Sequence, residues 1–312
     1  MYSNSNSSCL DLSTALHKGT RGYQEDCIIA DFPVGRESGF AILADGMGAH
    51  ASGDRASSLV VACVFSLLKA NISILEETEE AVTDTLKACV EQANATIREH
   101  VQLNPDDRGM GSTLVILFVL RDRLYWASVG DSPLYVIREG DIQQLNEDHS
   151  MAPRIAAMVA AGQLSREKAA SHPDRNALTS AISGGEVTRI DCPETPFELR
   201  AGDTVILASD GLQTLRNEEI LKTVRRNGQR STFQLTAALL QAVLERQNPD
   251  QDNTSIIAGR FTALEGSVDV LSQPEGTNAK NGEWVEETDD IVDAFDADVE
   301  EASDALLEAM SL

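Results

Sequence analysis

Four apolar runs in this chain meet small acidic groups at one end. Phe40 to Ala44 runs into Asp45-Gly46, Leu124 to Val129 into Gly130-Asp131, and Val205 to Ala208 into Ser209-Asp210-Gly211. In the fourth the order is reversed, with Asp252-Asn253-Thr254 opening the run Ser255 to Ala258. Short apolar runs bounded by turn residues read as buried strands. A carboxylate at the end of such a strand sits on a rigid element yet stays within reach of solvent. Several converging there would form an all-oxygen site for a hard cation such as Mg²⁺ or Mn²⁺. The chemistry indicated is metal-assisted.

Two further pieces carry weaker signals. Arg21, with Glu25 and Asp26 close behind, offers a guanidinium fork suited to phosphate oxygens beside paired acids; alone it also reads as a surface salt bridge. In Asp45-Gly46-Met47-Gly48 the glycines let the backbone approach closely, so the Gly46 carbonyl is a candidate ligand, although Asp-Gly is equally a common turn pair.

The elements that must hold these residues follow from periodicity. Residues 10–32 read as two strands around a turn. Ala56, Leu59, Val60, Cys63 and Leu67 share one face of a helix within 53–69. Val82, Leu86, Cys89, Val90, Ala93, Ile97 and Val101 align on a second. Residues 113–129 read as a tight hairpin of buried strands turning at Arg121-Asp122-Arg123, with another strand at 133–138. Strands are expected again at 187–192, 204–208 and 254–261, and helices at 155–161, 217–225 and 232–246. Helices and strands come in blocks, an α+β pattern rather than alternating βαβ units.

Composition narrows the class. The 312 residues are 42% hydrophobic, ample for a core, and no stretch approaches the ~18 consecutive apolar residues of a membrane span. The polar start has no leader pattern, which leads us to expect a cytoplasmic protein. Five cysteines without a C-x-x-C pair argue against a zinc site or a disulfide framework. Net charge is −25, and residues 263–312 carry 15 Asp and Glu against one Lys. The chain lacks the clustered basic patch that nucleic-acid binding requires. The expected organisation is a polar tail at 1–9, a domain at 10–261 with a mobile insertion at 146–185, and an acidic segment at 262–312. That last segment has an apolar stripe (Ile291, Phe295, Val299, Leu306) fit for docking on a partner or on its own domain.

Taken in order, the motifs Arg21…Glu25-Asp26, Asp45-Gly-Met-Gly, Gly109-Met-Gly-Ser-Thr113, Val129-Gly-Asp-Ser132, Ser209-Asp-Gly211 and Asp252-Asn-Thr254 resemble the metal-dependent protein phosphatases of the PPM family, protein phosphatase type 2C, in their bacterial style. The resemblance spans 10–261. It implies a β-sandwich of two antiparallel sheets flanked by helix pairs, four layers in αββα order. It implies a serine/threonine phosphatase that attacks phosphoserine or phosphothreonine with a hydroxide bridging two Mn²⁺ or Mg²⁺ ions. Asp45 would bridge the metals, Asp210 and Asp252 would hold one, and the Gly46 carbonyl with Glu25 and Asp26 the other. Asp131 would hold a weaker third ion, with Asn176 nearby, and Arg21 would bind the phosphate. The partners implied are phosphoproteins made by a cognate kinase. Met47 stands where some members carry a histidine proposed as general acid, which leaves metal-bound water, or His50, to protonate the leaving group. The alternative is a catalytically weak pseudophosphatase, or a regulator-type phosphatase acting as a binding module.

Overall fold

The computed structural model describes residues 8–33, 36–48 and 52–263. The acidic segment beyond 263 and His50 lie outside the described residues, so the expectations placed on them are not addressed by it.

Two antiparallel sheets form the centre. The first orders β1 (Ser8–His17), β11 (Thr254–Ala263), β10 (Thr204–Ala208), β7 (Leu134–Arg138) and β8 (Asp141–Gln144). The second orders β2 (Asp26–Asp31), β3 (Ser38–Met47), β5 (Leu114–Leu120), β6 (Arg123–Val129) and β9 (Phe197–Glu198), and the short β4 (Gly111–Ser112) pairs with the end of β3. Alternation along the strands splits the core into three apolar layers. Leu43, Val115, Leu117, Leu207 and Ile257 meet between the sheets. Phe40, Ile42, Ile116 and Phe118 point the other way, onto α1 (Ser52–Glu77) and α2 (Val82–Leu103). Ile206, Ile256 and Ala258 face α5 (Asn217–Arg226) and α6 (Thr232–Leu244). This is the expected four-layer arrangement. By length and composition α1 would be apolar enough to cross a bilayer; here its apolar face packs on the second sheet and on α2.

Several boundaries differ from the sequence reading for local reasons. β1 opens at Ser8, inside the expected polar tail, because it pairs with β11 along its whole length, from Ser8↔Ala263 to His17↔Thr254. Helix α1 runs well past Lys69, to Glu77. β8 went unforeseen; it closes a two-residue hairpin in which Glu139 and Gly140 both take positive φ, as a type I′ turn demands. The strand expected at 187–192 does not form. Its backbone makes only one bridge to the sheet, Ser128↔Asp191, while Arg189 turns aside to Ser180, and Pro193 ends the approach. The edge is taken up instead by β9. The 146–185 insertion carries two short helices, α3 (Ala152–Ala160) and α4 (Arg166–Ala170), where one was expected.

Candidate active site

The sandwich opens at one end, where both sheets deliver carboxylates. β3 does not turn at Asp45-Gly46, as read from sequence, but continues to Met47. Asp45 therefore pairs across the strands with Asp26, and Gly46 with Ser112. Asp210 follows β10 as the first residue of a 3₁₀ turn, and Asp252 precedes β11. Asp131 sits in the link from β6 to β7, which crosses between sheets.

These residues share a cleft of about 220 Å³, lined by Arg21, Glu25, Asp45, Gly46, Asp131, Asp210 and Asp252 together with Met47, Asn176 and Asn253. Asp26 lies behind this wall, buried, with one oxygen accepting from the Ser209 hydroxyl at 2.8 Å. A wider groove of about 600 Å³ adjoins the cleft. It shares Asp131, Asn176, Asp210 and Asp252 with it and adds Asp148 and Arg175 from the insertion. The structure thus brings together all the residues expected at the site, with Asp26 one layer deeper than the rest.

Main-chain contacts make the cleft rigid. The Asp45 N–H donates to the Thr113 hydroxyl, and the Asp45 carbonyl accepts from the Thr113 N–H at 2.8 Å and the Ser112 hydroxyl at 2.9 Å. The Gly46 N–H donates to the Glu25 carbonyl at 3.0 Å. A β-carbon at Gly46 would collide with the Gly53 carbonyl, so only glycine lets the start of α1 approach this closely. Sequence reasoning missed the part played by Asn253. Its side-chain oxygen accepts from the Glu25 N–H at 2.7 Å, and its amide donates to the carbonyls of Lys18 and Tyr23, both at 2.9 Å. One asparagine thereby ties the loop carrying Arg21 and Glu25 to the start of β11. The signal was its place between Asp252 and Thr254, since only a double-headed amide both donates and accepts there.

The electrostatics are those of an anionic cluster short of countercharge. Burial, then Asp26, Asp210, Asp131 and Asp252, push the Asp45 carboxyl well above its usual value. Burial followed by Asp131 and Asp252 raises Asp210 to about 7. Burial and then Asp148 raise Asp131 to about 6. Asp26 and Glu25 are also raised, burial being the main cause in each. One oxygen each of Asp26 and Asp210 is buried with no hydrogen-bond partner among the described residues. Among the described residues the cleft has one guanidinium, on Arg21, and it sits on Asp252 at 2.5 Å. The phosphate-binding residue and a metal-binding residue named from sequence are thus partners here. Among the described residues no three of the side chains close into a ready-made cage.

Residues 30–250 match the family model described as protein phosphatase 2C, well over half of the chain. The chain belongs to the protein phosphatase 2C family. A curated relative, the serine/threonine phosphatase stp of Listeria monocytogenes, is 32% identical over 201 residues, which is 63% of this chain and 77% of the relative. The crystal structure of the Mycobacterium tuberculosis serine/threonine phosphatase PstP/Ppp aligns with a TM-score of 0.65 at 30% identity, over 80% of this chain and 98% of that one. A structure of the PstP catalytic domain in complex with two manganese ions aligns with a TM-score of 0.66 at 29% identity, over 82% and 99%. The family accounts for the motif order, and the likeness of fold extends to the four-layer sandwich.

Proposed function

We propose that this chain is an active metal-dependent phosphatase, releasing phosphate from phosphoserine and phosphothreonine in proteins. The observation that carries the reading is the convergence of Asp45, Asp131, Asp210, Asp252 and Glu25 on one cleft in which, among the described residues, Arg21 is the only cationic side chain. Hard divalent cations fit this donor set. It is all oxygen, its carboxylates raise one another, and Asp26 and Asp210 each keep a buried oxygen without a donor. Asp45, Asp210, Asp252 and the Gly46 carbonyl would hold an Mn²⁺ or Mg²⁺ pair, with Glu25 and Asp26 beside them and Asp131 serving a weaker third ion. When bound, such a pair supplies a water of lowered pKa and neutralises charge on the phosphoryl oxygens.

The chain's own residues do the rest. Thr113 and Ser112 fix the backbone at Asp45, so its carboxylate is aimed before substrate arrives. Arg21 exchanges its carboxylate partner Asp252 for the substrate phosphate, whose oxygens match its fork. Met47 lines the cleft and has no proton to give, so protonation of the leaving alkoxide is left to water or to His50. Among the described residues no cysteine belongs to the cleft lining. Residues 8–263, where β1 and β11 run past the expected bounds of 10–261, form the catalytic domain of this reading, with 146–185 as its flap and the segment beyond 263 as an appendage outside the chemistry. The substrates we propose are products of a Ser/Thr kinase in the cytoplasm.

The test is Asp45→Ala in the full chain. Mn²⁺-dependent phosphate release from a phosphothreonine peptide should fall on the order of 10³-fold. Normal turnover by that variant would end the assignment.

A further inference from the structure

Asp107 lies outside the cleft, in a 3₁₀ turn (Pro105–Asp107) between α2 and β4, and is only 7% exposed. Its carboxylate collects three donors from two helices. Arg55 Nη1 donates at 2.5 Å and Ser52 Oγ contacts it at 3.4 Å, both from the first turn of α1. His100 Nε2 contacts it at 2.7 Å from the last turn of α2. The turn itself is closed by Asp107 N–H donating to the Asn104 carbonyl and by Met110 N–H donating to the Asp107 carbonyl.

What this knot holds matters for the cleft. The first turn of α1 contains Gly53, which packs so closely on the Glu25 carboxylate that a β-carbon there would come within 2.5 Å of Glu25 Oε1, and whose carbonyl presses on Gly46. Beside Gly46 runs β4, which begins four residues after Asp107 and pairs Ser112 with Gly46. Gly46 therefore touches both the start of α1 and β4, and Asp107 fastens those two elements to each other. We propose that Asp107 is a positioning residue for the Gly46–Glu25 half of the cation site, acting through the start of α1. Loss of the latch frees Gly53 to withdraw from Glu25, and the site loses preorganisation rather than a ligand. Outer-shell partners of this kind typically set metal affinity by about 10- to 100-fold.

The inference rests on the phosphatase reading, and the experiment separates the two. Mn²⁺ binding to the full chain is measured by titration calorimetry for the wild type, Asp107→Ala, Glu25→Gln and the double variant. Asp107→Ala should weaken Mn²⁺ binding about tenfold, with kcat at saturating Mn²⁺ within about twofold of wild type. In the Glu25→Gln background the same change should alter Kd by less than about twofold, because the latch works through Glu25. Circular dichroism establishes that each variant is folded. Should Asp107→Ala not fold, Arg55→Met removes one arm of the latch and is expected to weaken binding about threefold. Unchanged Mn²⁺ affinity in a folded latch variant, or an equal effect in both backgrounds, overturns the proposal. A wild type that fails to bind Mn²⁺ at all would instead sink the phosphatase reading.

Discussion

Asp203, one residue before β10, and Asp45, near the end of β3, are both carboxylates held on the strand frame of this sandwich, and they have opposite surroundings. Asp203 is 1% exposed and fully answered. Arg138 reaches both its oxygens, at 2.8 and 2.6 Å, and the Arg200 N–H adds a third bond at 2.8 Å. Arg138 also lies over the Phe197 ring and donates to the Glu198 carbonyl. Asp45 has four other aspartates raising it and no cation assigned to its own carboxylate. Asp203 is the more enclosed of the two, since Asp45 opens onto the cleft, yet it is Asp203 whose charge is answered; the partners, not burial alone, decide whether a carboxylate holds the fold together or waits for a ligand.

The contrast can be broken by substitution. Asp203→Asn should cost about 3 kcal/mol of unfolding free energy, since it strips charge from a buried pair and leaves Arg138 underbonded. Urea denaturation measures this, and a loss under about 1 kcal/mol would remove the distinction. The acidic cleft should respond to pH instead. Burial among like charges pushes Asp210 up to about 7 and Asp131 up to about 6, against the usual 3.8 of an exposed aspartate. A raised carboxylate keeps its proton in the folded chain while the unfolded chain has already released it. Without cations, this contribution to stability is therefore present below pH 3.8, is lost as pH rises towards 7, and stays level above that. Cations compete with those same protons, so Mn²⁺ binding should weaken about tenfold between about pH 8 and about pH 6, with proton release on binding. Calorimetry in buffers of different ionisation enthalpy reads both quantities, and a pH-independent affinity would contradict the account. The smallest effect is expected at Asp131, on the rim shared with the wider groove. Asp131→Ala should lower turnover at saturating Mn²⁺ only about threefold. A loss as large as that of Asp45→Ala would promote it to an essential ligand.

Much of this was legible in the sequence because the site is carried by strand ends. Apolar runs locate strands well, and residues adjoining them inherit a position. Asp131, Asp210 and Asp252 could be placed this way before any fold was known. The fold class followed from the block order of helices and strands. What escaped was anything decided by a partner distant in sequence. Asp45 looked like a turn residue because Asp-Gly is a turn pair, yet pairing with Asp26 and Ser112 carries the strand through it. Residues 187–192 have strand composition but meet the sheet edge at one point only. The ion pair between Arg21 and Asp252 spans 231 residues, and neither local motif hints at it. Asp107 gave no signal at all, since its three donors come from two helices that only the packed structure brings together.

The central claim is that the strand-end carboxylates work against the metal-free fold and exist for cations. Thermal unfolding of wild type and Asp45→Asn, each with and without Mn²⁺, tests it most directly. Without Mn²⁺ the variant should melt at or above the wild-type temperature, because a repulsive buried charge has gone. Adding Mn²⁺ should raise the wild-type melting temperature and leave the variant unmoved. A variant that melts lower without metal and still gains stability from Mn²⁺ would contradict the account.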